Sequence, residues 1–181
     1  MTDTFFDELT KELRKGATEK THPFRYFTLG TVGLDRAARL RTVVLRKITD
    51  DRTILFYTDK RSKKIIHIME NNKVSLLFYH PKKLLQLKVD GLAQVVADET
   101  RLKEYRSSIH PNSRKDYTTT IAPGSPIDHP DAVEYLKDKD HFSVVEVKPF
   151  KIEYLKLKRP NHLRVRFSKN ENLWIGEFLV P

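Results

Sequence analysis

Two short stretches combine residue types that bind anions. Arg41-Thr42-Val43-Val44-Leu45-Arg46 carries an arginine at each end of an apolar run, and Tyr57-Thr58 precedes Arg61-Ser62-Lys63-Lys64. A guanidinium is a flat fork of donors that can hold two oxygens of one phosphate. A helix start offers free backbone N–H groups and the positive end of the helix dipole, and Ser62-Lys63-Lys64 would add a hydroxyl and two ammoniums there. Strand periodicity sets Arg41, Val43 and Leu45 on one face and Thr42, Val44 and Arg46 on the other. The spacing admits two readings: a phosphate site shared by Arg41, Ser62, Lys63 and Lys64, or an ordinary capped basic helix after a hairpin.

These residues need a scaffold, and hydrophobic periodicity outlines one. Residues 4–15 place Phe6, Leu9 and Leu13 at helical spacing, with Gly16 as a stop. Strands are expected over 25–32, 40–48, 53–58, 74–79 and 84–96, with a bulge or bend at Gly91. Ser62 is a suitable N-cap for a helix over 63–70 whose apolar face is Ile65, Ile68 and Met69. A second helix over 98–109 would align Leu102, Tyr105 and Ile109. Residues 112–130 read as a loop, 131–136 as a short helix, and 142–147, 151–157, 163–167 and 173–178 as further strands. Eight or nine short strands with a few short helices predict a mainly β fold, a barrel rather than a doubly wound sheet. The 181 residues suit one domain: N-terminal helix, barrel core over about 25–96, helical insert over about 98–137, and C-terminal strands.

Composition removes several chemistries. There is no cysteine, so disulfides, thiolate metal sites and thiol nucleophiles are excluded. No Gly-rich phosphate loop and no His-Glu-x-x-His occurs. The seven histidines are scattered, and no metal is expected. The N-terminus does not read as a signal peptide, and no apolar run approaches a membrane span, so a cytoplasmic protein without a membrane partner is expected. The net charge of +10 attracts anions, whether nucleic acid, acidic lipid or phosphorylated small molecules. Besides the clusters 39–47 and 60–64, basic residues gather at Lys156, Lys158, Arg159, Arg164 and Arg166. Phe56, Phe78 and Tyr79 read as core, which argues against an aromatic nucleic-acid surface.

Together these motifs resemble the flavin-binding core of the pyridoxamine 5'-phosphate oxidase family. The residues that carry the resemblance are Arg41 to Arg46, Phe56-Tyr57-Thr58, Ser62-Lys63-Lys64, Asn71-Asn72 before Val74-Ser75-Leu76-Leu77-Phe78, then Gln86 and Gly91. The resemblance implies an FMN-binding split β-barrel and a homodimer with FMN at the subunit interface. It implies that Arg41, Ser62, Lys63 and Lys64 hold the FMN phosphate. Thr42, Val43, Val44, Leu45 and Arg46, with Tyr57 and Thr58, would line the isoalloxazine, and Gln86 would hydrogen-bond it. His162-Leu163-Arg164 is similar to the family's His-x-Arg element, so His162 would face substrate and Arg164 would approach FMN from the partner. Arg46, Tyr105, Ser113 and His162 would bind substrate, with His162 and Arg46 nearest the reaction.

The departures concern substrate more than cofactor. Pro160 or Asn161 stands where the family has an arginine before that histidine. Leu155 replaces a tryptophan, Ile109 replaces an arginine, and Arg46 replaces a lysine. The chain therefore resembles a divergent branch of the family rather than the vitamin B6 oxidase itself. The expected function is hydride transfer from a small substrate, phosphorylated or not, to FMN. The alternatives are a flavin carrier or sensor without turnover and, on charge alone, a nucleic-acid binder.

Overall fold

The computed structural model describes residues 2–171 and 173–181. Helix α1 (Asp3–Thr18) buries Leu9 and Leu13. Its Phe6 ring packs 4.8 Å from Phe167 and 5.4 Å from Trp174. Gly16 does not stop the helix, which runs two residues further. A Cβ on Gly16 would lie 2.7 Å from Cβ of Phe24, so the glycine serves a close approach instead. A 3-10 turn, Pro23–Arg25, then leads into the sheet.

The sheet is antiparallel throughout: β1 (Tyr26–Val32), β2 (Ala38–Val44), β3 (Lys47–Ile48), β4 (Ile54–Asp59), β5 (Lys73–His80), β6 (Leu85–Val95), β7 (Phe142–Lys156), β8 (Leu163–Asn170) and β9 (Leu173–Leu179). The order is β2-β1-β5-β6-β7-β4-β3, with β8 and β9 continuing from β7. Strands β2 and β3 lie at opposite ends of that order, yet only residues 45 and 46 separate them in the chain. The sheet must therefore curl until its edges meet. Leu45 N donates to Arg25 O (2.8 Å) and Arg46 N donates to Leu55 O (2.9 Å), one bond towards each edge. The single strand expected over 40–48 is thus two, because the chain changes partners at Leu45-Arg46.

Two further strands expected apart are joined. Residues 142–156 form one strand, β7, with Pro149 inside it. Pro149 faces Gly91 where the register with β6 shifts between Asp90 and Gly91. A proline has no N–H for the ladder and needs such a bulge, and the glycine expected to mark a bend supplies it.

The core contains Phe24, Phe27, Phe56 and Phe78, with Phe27 and Phe78 stacked at 4.7 Å. Strand β5 alternates strictly, so Val74, Leu76, Phe78 and His80 are buried while Tyr79 is 49% exposed. Tyr79 is thus not core, unlike Phe56 and Phe78. Helix α2 (Lys63–Glu70) has the expected bounds and buries Ile65 and Ile68, but Met69 is exposed. In the insert, Asp98 caps α3 (Glu99–Ser107), accepting from Arg101 N at 3.0 Å. The stretch expected to be loop begins with a helical turn, α4 (Pro111–Arg114), and a 3-10 turn, Lys115–Tyr117. The short helix expected near 131–136 is a 3-10 turn, Pro130–Ala132, followed by a β-bridge between Thr119 and Tyr135.

Candidate functional site

Ion pairing sorts the basic residues. The C-terminal cluster is largely neutralised, Lys156 by Glu8, Arg164 by Glu153 and Arg166 by Glu177. Arg39 pairs with Asp35 and Arg61 with Asp59. Among the described residues Arg25, Arg41, Arg46 and Lys64 have no carboxylate within ion-pair distance. Cations that are partly buried and left without a counter-ion mark where an anion is wanted.

Arg41 and Lys64 form one such place. Lys64 Nζ donates to Thr58 Oγ1 (2.9 Å) and Ser62 Oγ (3.2 Å), across the turn joining β4 to α2. Ser62 occupies the N-cap position, but its hydroxyl turns towards Thr58 and Lys64 rather than to the helix N–H groups. Arg41 Nη1 donates to Thr31 Oγ1 (2.6 Å) and to the Leu29 and Arg39 carbonyls. Thr31 Oγ1 also lies 3.1 Å from His67 Nδ1. Burial lowers the pKa of Lys64, and the charge of Arg41 lowers it further. Burial likewise lowers that of Arg41. The cradle consists of hydroxyls and cations on a helix start, the donor set that suits a phosphate. Lys63 is exposed beside it.

Strand alternation carries β4 from this cradle into a cavity. Thr58 faces Lys64, and its neighbour Tyr57 lines a cavity of about 510 Å³ with Arg46, Arg25, Lys20, Ser108, His110 and Ser113. The Arg46 guanidinium lies 5.3 Å from the Tyr57 ring centroid, and its buried Nε has no hydrogen-bond partner. Burial raises the pKa of Tyr117, while Arg46 acts on it in the opposite direction. Tyr105 stands behind Tyr57, with ring centroids 6.1 Å apart, and its hydroxyl accepts from Arg101 (3.1 Å). The structure thus brings Arg46, Tyr57 and Ser113 to one cavity, with Tyr105 packed against its wall.

Other expected residues lie apart. Val43 and Leu45 point into the core, as their shared face with Arg41 dictates, so only their backbone can meet a ligand. Thr42 is exposed and Val44 half-buried on the opposite face. Gln86 is half-buried on the outer face of the sheet, between Tyr79 and Leu155. Arg164 Nη2 donates to Glu153 at 2.7 Å. His162 is exposed in the loop before β8, where its Nδ1 accepts from Lys158 N (3.2 Å). Within one chain neither lines the cavity of Arg46.

Sequence reasoning missed Thr31, Arg25 and a histidine cluster. Glu12, His22 and His80 are buried together, so these histidines are not scattered. His22 Nδ1 accepts from Phe24 N (3.1 Å) and His80 Nδ1 from Lys83 N (3.3 Å). The ring protons therefore sit on Nε2, and His22 Nε2 meets Glu12 at 3.2 Å. A metal on Nε2 would need the lone pair that this bonding removes, so the group is a hydrogen-bonded network completed by Lys83.

A curled antiparallel sheet, with hydroxyls and cations gathered at a helix start beside it, is the architecture of a split barrel. Residues 3–97 match the pyridoxamine 5'-phosphate oxidase, FMN-binding domain, and the chain belongs to that family. FMN is thus its cofactor, and Arg41, Ser62 and Lys64 fit the phosphate of that group. The pyridoxine/pyridoxamine 5'-phosphate oxidase of Aliarcobacter butzleri is 37% identical over 81 residues, which is 45% of this chain and 38% of that protein. That of Psychrobacter cryohalolentis is 33% identical over 96 residues, 52% of this chain and 44% of that protein. The chain thus matches less than half the length of either relative. The fold is shared with a pyridoxamine 5'-phosphate oxidase-related FMN-binding protein of Nostoc punctiforme (TM-score 0.80, 21% identity, 97% of this chain and 96% of that one). It is also shared with PhzG of Burkholderia lata (TM-score 0.80, 18% identity, 97% and 92%).

Proposed function

We propose that the protein is an FMN-dependent oxidoreductase acting on a small anionic substrate. The observation that carries this reading is the join on β4: Thr58 belongs to the phosphate cradle and the adjacent Tyr57 to the cavity. From Arg41 to Arg46 the chain advances roughly 17 Å at strand rise, enough to run alongside a flavin from its phosphate towards its ring. Bound FMN supplies the hydride acceptor. Arg41, Ser62 and Lys64 hold its phosphate, with Lys63 adding positive charge nearby. Thr42, Val44, Arg46, Tyr57 and Thr58, with the backbone of Val43 and Leu45, border the ring. Arg46 and Ser113 receive the substrate, and Tyr105 holds Tyr57 in place.

Gln86, His162 and Arg164 are assigned to the site of a second copy. The outer face of the sheet supports this, because Tyr26, Leu40, Leu77 and Tyr79 are 59%, 71%, 40% and 49% exposed on it. Apolar surface of that kind favours burial against a partner. The functional test is anaerobic: FMN-loaded protein is mixed with pyridoxine 5'-phosphate and other small phosphorylated or carboxylated amines and alcohols. Bleaching of the flavin bands by any of them supports turnover. Retained flavin with no bleaching supports the second reading, a flavin carrier or sensor. The Arg164–Glu153 pair and the exposed His162 favour that second reading in a single chain.

A further inference from the structure

The cationic lining of the cavity is more than a flavin phosphate explains, because the Arg41–Lys64 cradle already receives that group. We infer that Arg25 is a specificity-determining residue, which joins Arg46 in gripping an oxyanion carried by the substrate. This inference rests on reading the cavity as the substrate side of the flavin.

Arg25 is the last residue of the 3-10 turn before β1. Its Nη1 is anchored to the carbonyls of Ala17 (3.0 Å) and Leu45 (3.3 Å). Those bonds hold the fork at the cavity and leave its other donors to meet a ligand. Arg46 enters the same cavity from the residue pair that closes the barrel, with its buried Nε unpartnered. Burial and the nearby Arg46 both lower the pKa of Arg25. Two guanidiniums so placed repel one another until an anion lies between them.

The rest of the lining agrees. Lys20 adds a third cation, Ser113 adds a hydroxyl, and among the described residues no aspartate or glutamate lines the cavity. Ile109, only 5% exposed, makes the wall beyond α3 apolar, so an anion belongs on the Arg25–Arg46 side. A phosphate ester and a carboxylate share the chemistry that this arrangement recognises. Arginine's fork fits either in a bidentate manner, whereas a lysine in its place would offer only a point charge.

The test is calorimetric titration of FMN-loaded protein with inorganic phosphate and, separately, with benzoate. FMN keeps the first cradle filled, so the anions report on the second. R25Q is expected to weaken the preferred anion by about tenfold or more, the effect of losing one charge-assisted hydrogen bond. R25K, which keeps the charge and one anchoring donor, is expected to fold normally and recover only part of that loss. Flavin retention after desalting is read on the same samples and is expected to be unchanged in both variants. Tighter phosphate binding identifies a phosphate ester and tighter benzoate binding a carboxylate. Equal anion affinity in wild type, R25Q and R25K overturns the assignment, as does failure of both anions to bind wild type. If the wild type retains no flavin but binds an anion through Arg25, the cofactor geometry proposed above fails while the anion subsite stands.

Discussion

The Lys64 ammonium lies 2.9 Å from the Thr58 hydroxyl, bridging the end of β4 and the first turn of α2. That bridge fixes a cation whose proton affinity burial and Arg41 both reduce. Its hydrogen-bond partners are neutral hydroxyls, and the nearby Asp59 is paired with Arg61, so it stays available to an anion.

Lys64→Met and Arg41→Ala should each weaken FMN binding by about 1.5–3 kcal/mol, roughly ten- to a hundredfold or more. The domain should remain folded, because removing either cation relieves repulsion between them. Fluorescence titration of FMN and a thermal melt of the apoprotein measure the two effects. Unchanged flavin affinity in both variants would exclude the cradle as the phosphate site.

Filling the cradle should stabilise the fold. With free FMN at a hundred times its dissociation constant, the native state gains about 2.7 kcal/mol, visible as a rise in melting temperature. The same FMN concentration should stabilise Lys64→Met much less. An equal rise in both proteins would mean that FMN binds elsewhere.

Arg61 has a different task from its basic neighbours. It pairs with buried Asp59 (2.7 Å) and donates to the carbonyls of Thr119 (2.8 Å) and Thr120 (3.0 Å). Arg61→Ala should leave flavin binding nearly intact but free the insert. Amide exchange over residues 117–121 should speed up, and the unpaired Asp59 should cost about 1–3 kcal/mol of stability. Wild-type exchange rates in that segment would refute the tether.

The Glu12–His22–His80 network predicts acid sensitivity. Burial holds the pKa of His80 below its ordinary 6.5, with Lys83 acting in the same direction. The unfolded chain therefore takes up a proton first, and stability falls as pH drops below 6.5 towards the folded value. Burial opposes ionisation of Glu12, but Lys83 and His22 outweigh it and hold its pKa below 4.5. Its contribution is complete above pH 4.5 and lost as pH falls through the lower folded value. His80→Asn should flatten the first decline by up to about 1.4 kcal/mol per pH unit, the slope of one proton. Denaturant melts between pH 7 and 5 would measure it; equal slopes would assign the sensitivity to other groups.

Local signals were legible where local chemistry decides the outcome. Ser62 and Asn71 bracket α2, and Gly91 marks the bulge that Pro149 requires. Gly16 misleads because a glycine suits both a helix end and a close approach, and only the position of Phe24 distinguishes them. The run from Arg41 to Arg46 carries no local mark of the change of partner at Leu45-Arg46. Tyr79 reads as core because Leu77 and Tyr79 make the outer face of β5 apolar too. Of the candidate site, spacing alone leaves Arg41, Ser62 and Lys64 open between a shared site and an ordinary capped helix, the motif resemblance groups them, and Thr31 is not legible. Nor is Arg25, since it joins the cavity through a carbonyl twenty residues away, at Leu45.

That two-residue junction also governs how such a chain can diversify. Arg46 completes the barrel wall with its amide and faces the cavity with its side chain. Insertions or deletions there would part the sheet edges, so inherited change at position 46 is confined to exchange of the side chain. The insert after β6 carries no comparable duty and can vary in length as well as composition. New substrates should therefore arise mainly through that insert, while the two-residue junction keeps its length.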